Sequence, residues 1–561
     1  MRRHFSIFFT GIGVLLFLMA CSDDAQKIGQ PESYLPADFT TIIMTHDFSA
    51  LLAEMQQNEL LKTSEPSASF VNLLTRSPLL KLVKPNGISY LTLASTDSTS
   101  TFTFIAQQHA NILKTDSISD LQLELINSAE SNTPTIQKII MENTAAFYSM
   151  KDSVLIASNS EINLRDILAG NTLKTEEFQK ISRIHDKKDN AIFSRGSSIH
   201  LNQKTIADNS TWTAAELQLT SNSLVGNGVV ITQDSLSFLS VFDRQIPQQN
   251  DLETVIPIEA LSAYSFTFSD AALLRRQLQT YRNEQDTLSS LPLFGTINEI
   301  GSIRLNEGNI IALKSMDSEL TQESWGRYIS ETDAFKEVQL FDWSAPDLFS
   351  QNFSPLIPSA EFKTAFQLGN FYFIAENNAA AEKLISAYKN QRTLDRSSLF
   401  IDAFPHISNA SSLLVYEMEN APSVLQQIFP STQISDKTSP PSNYPLSLLQ
   451  YSYDRNFAHM HLVIQEANQQ QQNDSGVNEQ FNVALEQTIQ LAPQFFINHK
   501  TRKNEVLTQD VANNLYLISD KGSILWKKSL SEPIIGRIHE VDLYRNGKIQ
   551  MVFSTENALH V

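Results

Sequence analysis

Phe39-Thr40-Thr41-Ile42-Ile43-Met44-Thr45-His46-Asp47-Phe48-Ser49-Ala50-Leu51-Leu52-Ala53-Glu54-Met55 changes period partway along its length. From Phe39 to Thr45 the residues are strand formers. From Ala50 onward the apolar side chains recur at helical spacing. Polar residues lie between, and Asp47 or Ser49 suits a helix N-cap. The stretch therefore predicts a half-buried strand, a cap and a helix. The same succession follows Pro257, in Leu261–Phe268, Ser269-Asp270 and Ala271–Leu278. It follows Pro405 again, in Ser412–Met418, Glu419-Asn420 and Ser423–Phe429.

A second pattern also recurs. Ala146–Met150 and Val154–Ser158 precede a helical period around Asn163–Leu168, and Asn370–Ala375 precedes one around Ala379–Tyr388. Each leads into a Leu-then-Phe stretch, Leu173…Phe178 and Leu394…Phe400. The copies stand about 220 residues apart, as do Pro36 and Pro257. These spacings predict two similar α+β halves, 35–250 and 251–465. Ala215–Thr220 and Val229–Thr232 alternate on either side of Gly226-Asn227-Gly228. Asn-Gly between alternating runs predicts a hairpin turn there. The expected fold class is α+β: duplicated units of antiparallel sheet with helices packed on one face.

Glu466–Asn478 reads EANQQQQNDSGVN. Such a Gln/Asn-rich tract cannot bury enough apolar surface to fold, and it predicts a linker. Residues 479–561 are β-rich. Asn514–Lys528 reads as two strands around Asp520-Lys521-Gly522, and Val541–Phe553 as two strands around Asn546-Gly547. Strand, Asp-x-Gly turn, strand and Trp526 resemble blades of quinoprotein-like β-propellers. The resemblance implies a hairpin tightened by the turn and a tryptophan packed between blades. The segment holds one or two blades where a ring needs four to eight, so the expectation is either a sequence that continues beyond residue 561 or a small partial blade stack. Quinone binding is not implied.

The chain starts with Arg2 and Arg3, runs through apolar Phe5–Met19 and reaches Cys21, the one cysteine in 561 residues. A charged start, a short apolar core and small residues before a cleavage point make a secretory signal. Roughly 15 apolar residues fall short of the roughly 20 a spanning helix needs. Leu18-Met19-Ala20-Cys21 resembles the lipobox of bacterial lipoproteins. The resemblance implies cleavage after residue 20 and lipidation of Cys21, with palmitate among the acyl chains. Several chains on one residue give firm anchoring where one chain is marginal. Ser22-Asp23-Asp24 resembles the surface-export signal of Bacteroidetes lipoproteins. Residues 21–34 read as a flexible tether. Lipobox, repeated body and blade-like tail together resemble a family of uncharacterised Bacteroidetes lipoproteins with a body domain of unknown function.

Lys and Arg number 42 against 61 Asp and Glu, a net charge of −19 that becomes −21 when Arg2 and Arg3 leave with the signal. That balance argues against nucleic acid as a partner and against broad contact with anionic lipid heads. With Cys21 modified, no disulfide, thiolate metal site or cysteine nucleophile is available.

His459-Met460-His461 places two imidazoles on one face of a strand. Two such ligands can hold a metal, but the spacing supplies no third. His46-Asp47 is matched in the related units by Ser269-Asp270 and Glu419-Asn420, which marks it as a capping loop. Asp152, Asp166 and Asp189 lack calcium-loop spacing. Gly-x-Ser-x-Gly, His-Glu-x-x-His, phosphate-loop and dinucleotide patterns are absent from the sequence. No catalytic, cofactor-binding or metal residue is assigned. The reading is a lipid-anchored outer-membrane lipoprotein of the cell envelope, facing periplasm or cell surface. It is of non-enzymatic binding or scaffold type, with an envelope protein or polymer as partner. The alternatives are an envelope or extracellular polymer hydrolase and an outer-membrane assembly factor acting through a propeller.

Overall fold

In a computed structural model, the described residues are 29–561 except 65–66, 96–99, 115–121, 127–134, 142–143, 184–189, 202–203, 233–236, 286–290, 358, 420–422, 426–427, 430–443, 467–480, 482, 501–502 and 545–547. The expected signal peptide 1–20, the expected lipobox with Cys21 and the expected linker beyond Glu466 lie outside them. The described residues begin at Gly29, within the expected tether. Gly29 donates its amide to the Asp152 carbonyl at 2.8 Å, and buried Tyr34 donates to the Asp152 carboxylate at 2.5 Å. The chain divides into two compact units, 1–467 and 468–561.

The first unit is mixed α and β. Its early strands are β1 (Thr41–Thr45), β2 (Ser89–Ser95), β3 (Ser100–Gln107), β4 (Gln122–Ile126), β5 (Ile136–Met141), β6 (Thr144–Lys151), β7 (Val154–Ser158), β8 (Ala191–Leu201), β9 (Lys204–Leu219) and β10 (Ser223–Thr232). After the short β11 (Gln248–Gln249) come β12 (Ser262–Thr267), β13 (Ile297–Leu305), β14 (Gly308–Ser315), β15 (Ile329–Phe335), β16 (Val338–Trp343), β17 (Thr364–Leu368) and β18 (Phe371–Ala375). The short β19 (Ala410–Ser411) pairs with β11, and β20 (Leu413–Glu417), β21 (Leu446–Asp454) and β22 (Phe457–Gln465) complete the unit.

Apart from β11 and β19, these strands form one 20-stranded sheet with every neighbour antiparallel. Pairings run β4-β5-β6-β7-β3-β2-β1-β8-β9-β10 across the first half. They run β15-β16-β17-β18-β14-β13-β12-β20-β21-β22 across the second. β10 and β22 then pair with each other, from Ser223↔Gln465 to Ile231↔Phe457. Counted inward from either edge, the succession of strands, hairpins and crossings is the same. Smaller features recur at the same spacing. Pro36 bridges Thr172 and Pro257 bridges Thr393. The Leu173 amide bonds the Leu35 carbonyl, and the Leu394 amide bonds the Ile256 carbonyl.

The expected caps are in place: Asp47 accepts from the Ala50 amide at 2.9 Å and Asp270 from the Leu273 amide at 3.0 Å. The third expected helix, Ser423–Phe429, lies partly outside the described residues; 423–425 form a 3-10 turn. Helices cover both faces, not one. Helices 48–57, 67–76, 271–281 and 348–353 pack on a core that runs the length of the sheet, including Leu91, Phe104, Phe266 and Met460. Helices 161–168 and 175–182 bury the other face of the first half, and 378–389 and 398–403 that of the second. Side chains alternate across a strand, so β1 sends Ile43 to the long core and Ile42 and Met44 to the opposite one. Among the described residues no helix is long and apolar enough to cross a membrane.

The turn expected at Gly226-Asn227-Gly228 is not there. These residues lie inside β10, and the hairpin turns at Ser221-Asn222, where Thr220 Oγ1 accepts the Asn222 and Ser223 amides at 3.3 and 3.0 Å. Gly228 answers a packing need instead. A Cβ on Gly228 would fall 2.0 Å from the Ala214 carbonyl oxygen, whereas one on Gly226 would meet nothing nearer than 3.5 Å.

The second unit holds a four-stranded meander, β23 (Ile489–Ile497), β24 (Asn504–Asp510), β25 (Asn514–Ile518) and β26 (Ile524–Ser529). Three more strands follow, β27 (Ile535–Val541), β28 (Gln550–Ser554) and β29 (Leu559–His560). Asp510 organises the β24–β25 turn, accepting the Ala512 and Asn514 amides and the Tyr516 hydroxyl. Gly522 has φ +80°, as the turn after Asp520 requires. Asn546-Gly547 lies outside the described residues.

Overpacking against backbone costs about 1–3 kcal/mol. Gly228→Ala is therefore expected to lower the unfolding free energy of the body, read from urea melts, by that amount. Gly226→Ala is expected to change it by less than about 1 kcal/mol. Equal effects of the two substitutions, followed by tryptophan fluorescence, would show that Gly228 is not packed as described.

Candidate functional site

The second half carries a cavity of about 800 Å³ on the face covered by helices 378–389 and 398–403. Its wall comes from the segment 251–255, Lys314 at the end of β14, the β17–β18 turn, the end of helix 378–389 and the loop 391–396. Local chemistry sets each piece. Gly301 has no side chain where Leu252 lies; a Cβ there would be 2.4 Å from Leu252 Cδ1. That close approach seats the 252–254 turn on β13. The Pro257–Thr393 bridge and the Leu394 amide fasten the loop to the same segment. Gly369, at φ +56°, makes the β17–β18 turn.

A polar cluster runs from this wall into the buried interior behind it. Lys314 Nζ is 2.6 Å from Asp251 Oδ2 and donates to the Gln249 carbonyl at 3.0 Å. Glu299, fully buried on β13, accepts the Asp251 amide at 3.0 Å through Oε2. Its Oε1 has no hydrogen bond among the described residues. Glu253 accepts the Tyr416 hydroxyl at 3.1 Å. Asn250 donates to Ser265 at 2.8 Å and accepts from Ser411 at 2.7 Å.

Burial pushes the Glu299 carboxyl up to about 7, against the pull of the Asp251 amide and Lys314. Burial also pushes Glu253 up to about 7, with Glu299 adding to the rise. Taking a carboxylate out of water costs several kcal/mol. One lysine at 3.9 Å, already shared with Asp251, does not offset that. Glu417, on the other face of the sheet, is pushed up to about 8 by burial. Neither Glu253 nor Glu299 lines the cavity. The charged groups that do are Lys314, Lys389 and Arg396 with Asp251 and Asp395. The wall can hold a ligand by charge and hydrogen bonds, while the raised carboxyls support it from behind.

Glu299 and Lys314 are partners across the β13–β14 hairpin, whereas the segment 249–253 and Tyr416 come from elsewhere in the chain, and no spacing links them to it. The one local signal is an acid within the strand Ile297–Leu305, whose other members are nearly all core.

A second polar feature crosses the middle of the sheet. Glu216, Asn227, His461 and Gln450 lie side by side on β9, β10, β22 and β21. His461 Nδ1 is 2.8 Å from Asn227 Oδ1, and Gln450 clasps the Ser408 backbone through both its amide atoms. His459 and His461 share a face, as alternation predicts. Burial pulls the His461 value down, and His459 adds to that. Among the described residues no three potential ligands group around a metal. Asp152 serves Tyr34, Asp166 is on helix 161–168, and Asp189 lies outside the described residues.

No family model matches the chain, and no curated protein or solved structure matches it.

Because burial raises Glu253 and Glu299 from about 4.5 to about 7, the folded protein holds more protons than the unfolded chain across that interval. Their contribution to stability is therefore present below about pH 4.5 and lost as pH rises towards 7. Glu299→Gln is expected to gain on the parent by on the order of 3 kcal/mol between pH 4.5 and 7. Urea melts at several pH values measure this; parallel pH profiles for parent and variant would contradict it.

Proposed function

We propose that this chain is a lipid-anchored cell-envelope protein whose body binds or scaffolds an envelope polymer or protein without catalysis. Its anchor is lipid, palmitate included, on Cys21 after cleavage of 1–20, which puts it in the outer membrane facing periplasm or cell surface. The observation that carries the binding reading is the cavity of the second half: roomy, charged, and walled by groups suited to holding rather than transforming a ligand. In keeping with it, Glu253 and Glu299 are committed to Tyr416 and the Asp251 amide.

The two halves of the body are read as copies of one ancestral unit. The matching order of pairings and the recurring proline bridges support this. So does the centre of the sheet, where Asn227 and His461 stand 234 positions apart, as do Glu216 and Gln450. The C-terminal unit is read as one complete four-stranded propeller-like blade and three strands of another. Exposed Phe495, Ile524, Leu525 and Trp526 would then be blade-contact residues.

Two carboxyls with raised pKa near a cavity favour a hydrolase as the second reading. It requires one of them to reach the ligand, and both lie behind the wall.

The anchor is tested in cells grown with labelled palmitate. The parent protein is expected to take up label and to partition into detergent; Cys21→Ser is expected to do neither. A Cys21→Ser protein that still fractionates with membranes would overturn lipid anchoring as the means of attachment.

A further inference from the structure

Resting on the reading of the body as a binding module, we infer that the cavity of the second half takes an anionic saccharide, a short run of uronic-acid-type sugars. The chain as a whole carries −19, yet the cavity wall presents three cations, Lys314, Lys389 and Arg396, against two carboxylates, Asp251 and Asp395. Asp251 is committed to Lys314 at 2.6 Å, and Asp395 accepts the Thr393 hydroxyl at 2.5 Å. Among the described residues the Arg396 side chain makes one hydrogen bond, donated to Gln391 at 3.2 Å. Neither Lys389 nor Arg396 forms an ion pair among the described residues. Both are exposed to a ligand entering the cavity. An anion is repelled by most of this surface and drawn to this island, where field lines converge in a concave site.

The carbonyl end of helix 378–389 points the opposing way. Its last carbonyls are already occupied by the amides of Asn390, Gln391 and Arg392, and Lys389 sits on that turn. The remaining wall narrows the class of anion. Thr254, Asn370 and Gln391 offer a hydroxyl and amides, and Tyr388 offers a ring. Inorganic phosphate would engage the cations and leave these groups, and most of about 800 Å³, unused. A sugar with a carboxylate uses both: hydroxyls to the amides and threonine, carboxylates to Lys389 and the planar fork of Arg396.

Calorimetric titration of the detergent-solubilised full chain with trigalacturonate tests this, with maltotriose and inorganic phosphate as comparison ligands. Saturable binding of trigalacturonate is expected, with the other two weaker by about tenfold or more. Lys389→Ala/Arg396→Ala is expected to weaken it by about tenfold or more, the loss of charge-assisted contacts, with the thermal midpoint unchanged. Lys389→Arg, which keeps the charge and leaves the fork of Arg396 in place, is expected to retain most of the affinity. Absence of binding, equal binding of maltotriose or phosphate, or an unaltered affinity in the double alanine variant would overturn the assignment. None of these touches palmitate labelling of Cys21, so the anchored binding protein stands or falls separately. Chromatography of the recovered trisaccharide completes the test: intact ligand is expected, and cleavage would overturn the non-catalytic reading.

Discussion

The ladder between β10 and β22 joins two ten-stranded halves into one sheet. Without it, each of these long strands would be an edge with a row of unpaired amides and carbonyls. With it, Leu224 and Val230 of β10 and Met460, Leu462 and Ile464 of β22 enter one core shared by both halves. On its other side β10 pairs with β9, which at Gly228 comes too close for any side chain. Polar residues cross the ladder on the opposite face. Asn227 and His461 satisfy each other there, so the seam between the two outer cores is closed by hydrogen bonds, not by apolar packing.

The two halves share a plan but not a chemistry. On its outer face the first half buries Met44, Tyr90, Ile105 and Phe193. The second half places Ser265, Glu299, Lys314 and Tyr416 on its outer face, beside the cavity. A buried carboxyl without full hydrogen bonding opposes stability. Its presence behind a concave, charged wall is the strongest structural reason to look for function in the second half. Function resides in such a site, not in the sheet that carries it.

Strands and caps were legible in the sequence because they are local. Asp47 and Asp270 each cap a helix that begins within one residue, and the proline-to-strand spacing survived in the pairings. Gly226-Asn227-Gly228 misled because Asn-Gly is the strongest short-range hairpin signal. The actual turn uses Thr220 and Ser223, whose hydroxyl and backbone do the same work with no glycine. The packing that requires Gly228 comes from the backbone of β9, which no local turn signal reports. Helices on both faces escaped notice because strands buried on both sides lose the alternation that marks a solvated face. Glu299 and Lys314 face each other across the β13–β14 hairpin, a local pairing, whereas Glu253 is brought to them by the Leu252–Gly301 approach, which no spacing records.

Hydrogen exchange of the full-length protein under mild denaturant tests most directly whether this ladder holds the body together. Amides of β9, β10, β21 and β22 should be among the slowest in residues 29–466, and peptides from both halves should lose protection in one step. Early exchange in β10 and β22, with the halves then opening separately, would contradict the account.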